Sequence, residues 1–246
     1  MTGESVLSRV VRILEAFDPE NPALRLSVVA RRSDLHIATA SRLVNEMVGL
    51  GLLARDPDRR IRIGVRLWEL ASRTSPTLGL REAAMPFLED LHDVVGHHTQ
   101  LAVLGGREAL FVERLSAPGG IVNITRIAGR LPLHASSGGL VLLAHADPDL
   151  QEEILAGALT RYTPQTPHSA QQVRVLLAEI RRTGYVFCPG YIDPAAAGIA
   201  APIRDGTGQV VAALGAVLPN DAHARAQISA VRAAARGVSR ALGQAL

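Results

Sequence analysis

The sequence predicts an α+β protein built of two parts, and three observations lead to this fold class. The first third of the chain shows helix-forming patterns that end in one short apolar hairpin. After Gly96, short strands are grouped around a few helices, without the regular alternation typical of a doubly wound parallel sheet. With 246 residues, the chain is long enough for roughly two domains, each with its own core. We therefore expect a small helical domain followed by a domain with an antiparallel sheet.

Three helices are predicted within the first 50 residues. Ser5 to Phe17 places its apolar residues on one face at helical spacing, and the DPENP segment then interrupts the pattern. Ser27 is the expected N-cap of a short second helix, Val28 to Arg32. A third helix is expected from Ile37 to Val48, where the glycines of GLGLL end it.

A hairpin and two more helices follow. Leu52–Arg55 and Ile61–Gly64 have the composition of two strands joined by the loop DPDRR. Leu67 to Thr74 is expected to form a helix that closes this small unit. Thr77 to Val95 predicts a longer helix, whose apolar stripe suits either packing within the chain or a seam between two copies.

The remainder of the chain predicts a mixture of strands and helices. The expected strands are Gln100–Leu104, Ala109–Leu115, Val122–Arg126, Ile199–Ile203 and Val210–Leu218. The expected helices are Ser137–Ala144, Asp149–Ala156, Ala170–Thr183 and Ala222–Leu246. The GTG motif at Gly206–Gly208 precedes a strand instead of following one, so it predicts a hairpin turn and not a dinucleotide site.

Composition excludes several classes of protein. No apolar run approaches the ~20 residues that are needed to span a bilayer, and no secretory signal is expected at the N-terminus. The single cysteine, Cys188, excludes an intrachain disulfide and a multi-cysteine zinc site. We therefore expect a cytoplasmic protein without a membrane partner and without a cofactor.

The charge distribution points to the first third of the chain. Residues 1–73 contain 12 arginines against 9 acidic residues, whereas residues 74–246 contain 14 of each. All 26 basic residues are arginine, which suits either a GC-rich coding sequence or a demand for guanidinium groups. The excess is small, so it suggests a polyanion as partner without establishing one.

The order helix, short helix, turn, helix, hairpin is the layout of a winged helix-turn-helix. In this motif the N-terminal residues of the third helix read base edges in the major groove of double-stranded DNA. The residues at those positions are His36, Ile37, Ala38, Thr39, Ser41 and Arg42. The candidates for contacts outside this helix are Ser27, Arg31 and Arg32 before it, and Arg59 and Arg60 at the hairpin tip. The alternative is the solvated face of a small helical domain, but the order and spacing favour DNA binding.

Six segments carry a resemblance to a known family. They are RVVRILEAF, LSVVARRSDLHIATASRLVNEMVGLGLLAR, RIGVRLWELA, LPLHASSGGLVLLA, YTPQTPHSAQQVRVLLAEIRRTGYVF and GIAAPIRDGTGQVVAALGAVLP. Together they extend from about residue 5 to the C-terminus, and they resemble the IclR-type transcriptional regulators. Thr39 and Arg42 fit the family pattern, whereas His36 and Ala38 stand where proline and serine are common. The operator sequence therefore cannot be taken over from relatives.

The resemblance implies a ligand-responsive regulator of a metabolic, catabolic operon, acting as repressor or activator and without enzymatic activity. We expect a winged helix-turn-helix DNA-binding domain at residues 1–74 and a linker helix at 75–95. Residues 96–246 would form an α/β effector-binding and oligomerisation domain with an antiparallel sheet. The implied partners are a double-stranded DNA operator, a small organic acid as effector, and further copies of the chain in a homodimer or a dimer of dimers.

The resemblance also implies an effector pocket between the LHASSGG segment, the loop after GYVF and the last strand. The matching positions are Ser136, Ser137, Gly138, Cys188, Gly198, Gly215 and Val217. Relatives that bind small acids place an aspartate, a cysteine and two serines at the last four of these positions. Polar side chains have thus given way to small or apolar ones here, which favours a larger, partly apolar effector such as an aromatic acid. The alternatives are that the glycines relieve packing, or that the pocket is vestigial.

The carboxylate of such an effector has expected partners in the same segment. Ser136 and Ser137 would supply hydroxyl groups. Backbone N–H groups at the start of the helix that contains Gly138 would add further donors, because the helix dipole favours an anion there.

Other residue groups carry weaker signals of catalysis or metal binding. Cys188 and His134 would suit a thiol nucleophile with its base, but a lone cysteine is more often inert. The serines at 136 and 137 lack the GxSxG frame of a nucleophile elbow. The histidines at 92, 97 and 98 lack the spacing of a helical metal site. No catalytic residue and no metal ligand is therefore expected.

One further pattern and two rival functions remain open. Arg232, Arg236 and Arg240 form a row at a spacing of four residues on the last helix, which indicates a solvated face or a partner surface. The first rival function is a hydrolase or isomerase in residues 96–246, with the N-terminal unit as an interaction module. The second is a DNA-binding protein whose second domain only forms oligomers.

Overall fold

The computed structural model describes residues 4–73, 75–117 and 125–244. It divides into two compact units, Met1–Pro76 and Thr77–Leu246. The helix predicted as a linker therefore lies, from Thr77 onward, in the second unit, and its role as a linker stays a prediction. Within the described ranges, no helix has the length and apolar character that a membrane span requires.

The first unit consists of helices around a small antiparallel sheet. Its elements in chain order are α1 (Val6–Glu15), β1 (Ala23–Leu24), α2 (Leu26–Arg32), α3 (Ile37–Gly49), β2 (Leu53–Arg55), β3 (Ile61–Ile63) and α4 (Val65–Ser72). The three strands pair in the order β1-β3-β2. The core is formed by apolar side chains of the helices and strands. They include Ile13, Val29, Leu43, Met47, Leu53 and Ile61. This is a winged helix-turn-helix, as predicted.

Three local predictions in this unit need correction. Ser27 is not an N-cap, because α2 begins at Leu26. The N-cap is Arg25, whose backbone is extended, and Leu26 packs against the core. Strand β1 was not predicted, since two residues carry no periodicity of their own. The closing helix begins two residues early, at Val65, and no side chain along it is buried; Thr74, its predicted end, lies outside the described residues.

The second unit is a six-stranded antiparallel sheet covered by helices. Its strands are β4 (His98–Gly105), β5 (Glu108–Leu115), β6 (Arg130–Pro132), β7 (Val186–Pro189), β8 (Ala196–Arg204) and β9 (Val210–Pro219), in the order β6-β5-β4-β9-β8-β7. Its helices are α5 (Pro76–Val95), α6 (Ser137–Ala144), α7 (Pro148–Ala156), α8 (Ala170–Thr183) and α9 (Ile228–Gln244), with a 3-10 turn at Ala224–Gln227.

The two faces of this sheet are both buried. Helices α5 and α9 cover one face, and the apolar stripe of α5, including Leu88 and Leu91, packs there against strand residues such as Leu214. Helices α6 and α8 cover the other face, where Leu140 and Leu177 belong to one buried apolar cluster with Ala213. Burial on both faces explains why the sequence of β9 is continuously apolar instead of alternating.

The sequence predictions for this unit differ from the structure at its edges. Strands β6 and β7 were not predicted. Residues 118–124, and with them most of the predicted strand Val122–Arg126, lie outside the described residues; its last two residues form no strand. The final helix, expected over Ala222–Leu246, begins at Ile228 after the 3-10 turn, and its last two predicted residues also lie outside the described part.

Candidate functional site

Helix α3 presents its candidate reading residues on the surface of the first unit. The helix begins after His36, whose Nδ1 accepts a hydrogen bond from the N–H of Ala38 at 3.3 Å. One face of the helix is buried in the core, and the other face carries the candidates. The exposed candidates are His36, Ile37, Ala38 and Arg42, and the half-buried ones are Thr39 and Ser41.

Arg42 is only weakly engaged by its neighbours. Its Nη1 lies 3.7 Å from Oε2 of Glu46, and the side chains of both residues are more than half exposed, at 62% and 61%. An exposed pair of this kind contributes little to folding. The guanidinium can therefore exchange the carboxylate for a guanine edge or a phosphate. Asn45, which was not predicted, is also exposed and follows Arg42 on the same helix by three residues, the spacing of neighbours on a helix surface.

The two arginines at the end of α2 have different surroundings. Arg31 is exposed and has no carboxylate partner among the described residues. Arg32 instead donates from Nη1 to the Ala16 carbonyl and to Oδ2 of Asp18, both at 2.8 Å. A hydrogen bond from the Asn21 side chain, together with that from Arg32, lowers the pKa of the Asp18 carboxyl. Arg32 thus links α2 to the end of α1, and its contact with DNA stays a prediction.

The wing tip is folded by Asp56 so that both candidate arginines project. The Asp56 side chain accepts from the N–H of Arg60 at 2.7 Å, and its carbonyl accepts from the N–H of Arg59 at 2.9 Å. Arg59 adopts a left-handed conformation, with φ 58°, which residues other than glycine rarely adopt. Both arginine side chains are exposed, and neither has an ion pair within the described part of the chain.

A cavity of about 60 Å³ lies in the second unit at the N-terminal end of α6. This volume is smaller than the roughly 300–1,000 Å³ that is typical of small-molecule sites. The residues that line it are Gln100, Thr125, Leu131, Ala135, Ser136, Ser137, Cys188, Tyr191, Ile192, Asp193, Ala196, Gly198 and Val217.

Five of the seven predicted pocket residues line this cavity. Strand pairing brings three of them together, because Cys188 pairs with Gly198 and Gly198 pairs with Val217 across β7, β8 and β9. The other two are Ser136 and Ser137 at the start of α6. The cavity also contains polar residues that were not predicted, among them Gln100, Thr125 and Asp193.

The glycines of the predicted set are closely packed, which favours the alternative that they relieve packing over the expectation of added volume. A Cβ on Gly215 would lie 2.7 Å from the Ile199 carbonyl oxygen, and one on Gly138 would lie 3.3 Å from Cβ of Ala102. Neither residue lines the cavity. Gly198 does line it, but a Cβ there would lie 2.8 Å from Oγ of Ser137. The space above Gly198 is therefore filled by this serine and is not open to a larger ligand.

The two serines have different roles in the structure. Ser136 is the N-cap of α6: its Oγ accepts from the N–H of Gly139 at 3.2 Å and donates to the Pro132 carbonyl at 2.9 Å. The Ser137 hydroxyl has no hydrogen-bond partner among the described residues and remains available. The first N–H groups of a helix also lack partners within it. The Ser137 hydroxyl and the first N–H groups of α6 thus offer hydrogen-bond donors to an anionic group.

No cationic side chain lines the cavity within the described ranges, and the acidic residue that does is Asp193. Its Oδ1 accepts from the N–H of Ala195 at 2.9 Å. Also in the cavity lining, Oγ1 of Thr125 donates to Oε1 of Gln100 at 3.0 Å. The amide NH₂ of Gln100 has no partner in the described part of the chain, so it can donate to a ligand.

The titratable groups of the cavity do not suit nucleophilic catalysis. Burial raises the pKa of the Cys188 thiol, which keeps this group neutral. Burial also raises the pKa of Tyr191 to about 12, so its phenol is neutral at physiological pH. His134, the proposed partner of the cysteine, contacts the Thr160 carbonyl through Nε2. Among the described residues, no group of three potential metal ligands comes together.

Comparisons with known proteins agree with this architecture. Residues 6–57 match the family model of the IclR helix-turn-helix domain, and residues 73–242 match that of the bacterial transcriptional regulator IclR C-terminal domain. The regulator BhcR of Paracoccus denitrificans is 30% identical, over 96% of this chain and 87% of its own length. The regulator XynR of Escherichia coli is 26% identical, over 85% of this chain and 83% of its own length.

A solved structure is more similar still. It is an IclR homologue from Microbacterium hydrocarbonoxydans in complex with 4-hydroxybenzoate. Its sequence is 48% identical to this chain, the match covers 98% of this chain and 100% of the other, and the TM-score is 0.93.

Proposed function

Because the chain belongs to the IclR family of bacterial transcriptional regulators, we propose that it controls a catabolic operon in response to an aromatic acid. The observation that carries the choice of ligand is the cavity at the start of α6. It combines the available hydroxyl of Ser137 with apolar walls, in a chain 48% identical to a homologue whose structure contains 4-hydroxybenzoate.

The chemistry of the cavity fits a singly charged aromatic acid. In our proposal the carboxylate accepts hydrogen bonds from Ser137 and from the N–H groups in the first turn of α6, where the helix dipole favours a negative charge. The ring packs against Leu131 and Val217. A hydroxyl on the ring would donate to Asp193 or bind Gln100. A second carboxylate would be rejected, because no cationic side chain of the described residues lines the cavity.

The surface of the first unit supports the DNA-binding half of the proposal. We propose that the exposed residues of α3 read base edges, and that Arg31, Arg59 and Arg60 contact phosphates. In a dimer, two such units bind half-sites that are about one helical turn, or a multiple of it, apart. An effector that changes the relative placement of the two units then changes operator affinity.

The proposal is tested by measuring binding to the DNA upstream of the protein's own gene. Fluorescence anisotropy with that DNA would be recorded with 4-hydroxybenzoate, benzoate or an aliphatic acid of equal charge. The melting temperature would be measured in parallel, since a ligand at 100 times its dissociation constant adds roughly 2.7 kcal/mol to stability. An aromatic acid that stabilises the protein and shifts its DNA affinity, without being consumed, supports the proposal. Consumption of the acid would indicate an enzyme, and an unchanged DNA affinity a constitutive DNA-binding protein.

Arg60→Ala is expected to weaken binding to any DNA sequence by a similar factor. The reason is that a wing-tip arginine contacts phosphates, so its removal should reduce the slope of log affinity against log salt concentration by about one. The wing should stay folded, because it is the backbone N–H of Arg60 that Asp56 binds. Titrations on operator and scrambled DNA at several salt concentrations check this. Arg174→Ala, in the second unit, serves as a control without effect. A loss confined to the operator would contradict the phosphate contact.

A further inference from the structure

A second cleft, which we call the arginine cleft, lies in the second unit and shares no residue with the effector cavity. It has a volume of about 360 Å³ between α9 and the end of β8. Arg232, Arg236 and Arg240 line it from successive turns of α9, and Arg204 lines it from β8. Arginines from two elements therefore line one concave surface.

These four arginines have no carboxylate partner within the described part of the chain. Elsewhere in the same unit, arginines are paired: Arg107 lies 2.9 Å from a carboxylate oxygen of Glu153, and Arg174 lies 2.6 Å from one of Glu152. Like charges four residues apart destabilise a helix. An anion bound in the arginine cleft would offset this repulsion, and no side chain of the described residues does so.

Two of the arginines are held in place by neutral groups. The guanidinium of Arg232 lies over the ring of Tyr185, 5.3 Å from its centroid. Arg204 donates from Nη1 to the Gly208 carbonyl at 2.8 Å, and its Nη2 lies 3.2 Å from Nε2 of His145. Such contacts orient a guanidinium without neutralising it, which is the condition for binding an anion from solution.

The surroundings of His145 are consistent with a positive potential next to the arginine cleft. Burial is the largest cause that lowers the pKa of His145, and the charges of Arg204 and Arg181 lower it further. The neutral ring can donate from Nδ1 to the Val141 carbonyl, at 2.9 Å, while Nε2 accepts from Arg204. The histidine thus supports Arg204 without competing for an anion.

We propose that the arginine cleft binds a small molecule that carries two or more phosphate groups, as a second ligand of this protein. Guanidinium forks match phosphate oxygens in pairs, and several arginines that line one cleft suit a ligand of high negative charge. This site does not depend on the identity of the ligand in the effector cavity.

The test uses the full-length protein with inorganic pyrophosphate and tripolyphosphate as probes. Titration calorimetry at constant ionic strength should detect binding of both probes to the wild-type protein. The double variant Arg236→Gln/Arg240→Gln should bind them roughly tenfold or more weakly, because charge-assisted hydrogen bonds are lost. Arg174→Gln removes one positive charge outside the cleft and should leave the affinity unchanged. Arg42→Ala should also leave it unchanged, which separates this site from the candidate DNA-binding surface.

Four outcomes would overturn the proposal. They are the absence of polyphosphate binding, an equal loss of affinity in Arg174→Gln, citrate binding as tight as that of tripolyphosphate, and a double variant that loses DNA affinity but keeps polyphosphate binding. Binding of 4-hydroxybenzoate to the double variant is recorded in parallel. Binding of 4-hydroxybenzoate shows that the double variant is folded, and it tests the proposed effector site without involving the arginine cleft. Failure of one proposal is therefore distinguishable from failure of the other.

Discussion

Arg42→Ala is expected to lower the affinity for the operator by about 1–3 kcal/mol, or roughly 5- to 150-fold, which is the discrimination carried by one bidentate contact to a base. The guanidinium of Arg42 is exposed on α3, and its contact with Glu46 is long and exposed. Removing the side chain should therefore leave the free energy of unfolding within about 0.5 kcal/mol of the wild type. The loss is a loss of binding and not of folding.

The matched variant Arg42→Lys separates reading of a base from contact with a phosphate. Lysine keeps the charge but lacks the planar fork, so it should keep the affinity for scrambled DNA while losing the preference for the operator. Fluorescence anisotropy on both DNA sequences measures the ratio. If Arg42→Lys bound the operator as tightly as the wild type, Arg42 would not read a base.

Ser137→Ala is expected to weaken effector binding by about 1.5–3 kcal/mol, or roughly 10- to 150-fold, since a hydrogen bond to a charged carboxylate would be lost. The Ser137 hydroxyl has no other partner among the described residues, so the free energy of unfolding should change little. Calorimetric titration with 4-hydroxybenzoate measures the first quantity, and urea unfolding the second.

Ser136→Ala is the control, because its main expected effect is on the stability of the protein. Its hydroxyl is the N-cap of α6, and loss of such a cap costs about 0.5–2 kcal/mol of stability. Ser136→Ala should therefore lower the urea midpoint more than Ser137→Ala does. Two serines with equal effects on stability, or unchanged effector affinity in Ser137→Ala, would contradict the assignment of the carboxylate to Ser137.

Both ends of a helix were predicted correctly where capping residues mark them in the sequence. The range Ala170–Thr183 is the same in prediction and structure, because Ser169 and Gln172 form a capping box and Gly184 ends the helix in a left-handed conformation. The start of α2 was wrong, since its N-cap Arg25 makes no side-chain cap bond that a sequence pattern could reveal. Local chemistry thus predicts helix ends where side chains supply it.

The short strands were missed for a different reason. β6 and β7 have three and four residues, and each exists because it pairs with a distant partner, β5 or β8. Each also ends in proline, which lacks the N–H for a further bond in the sheet. Nothing local indicates such strands, whereas β9 was predicted because it is long and continuously apolar.

The cavity was predicted in outline but not in its composition. The resemblance to a family supplied Ser136, Ser137, Cys188, Gly198 and Val217, all of which line the cavity. It could not show that Gly215 faces a neighbouring strand too closely to leave space, because this depends on the separation of two backbones. The polar residues added by the structure come from strand β4 and from loops far apart in sequence.

The absence of a cationic side chain in the effector cavity, within the described ranges, has a consequence for how the two binding events respond to salt. An anion held by hydroxyl groups and backbone dipoles releases no counterions when it binds, so its affinity should be nearly constant between about 50 and 200 mM salt. DNA affinity depends on displaced counterions and falls steeply over the same range. In concentrated salt the protein should still bind its effector although it no longer binds its operator. Effector binding and DNA binding can therefore be measured separately on one sample.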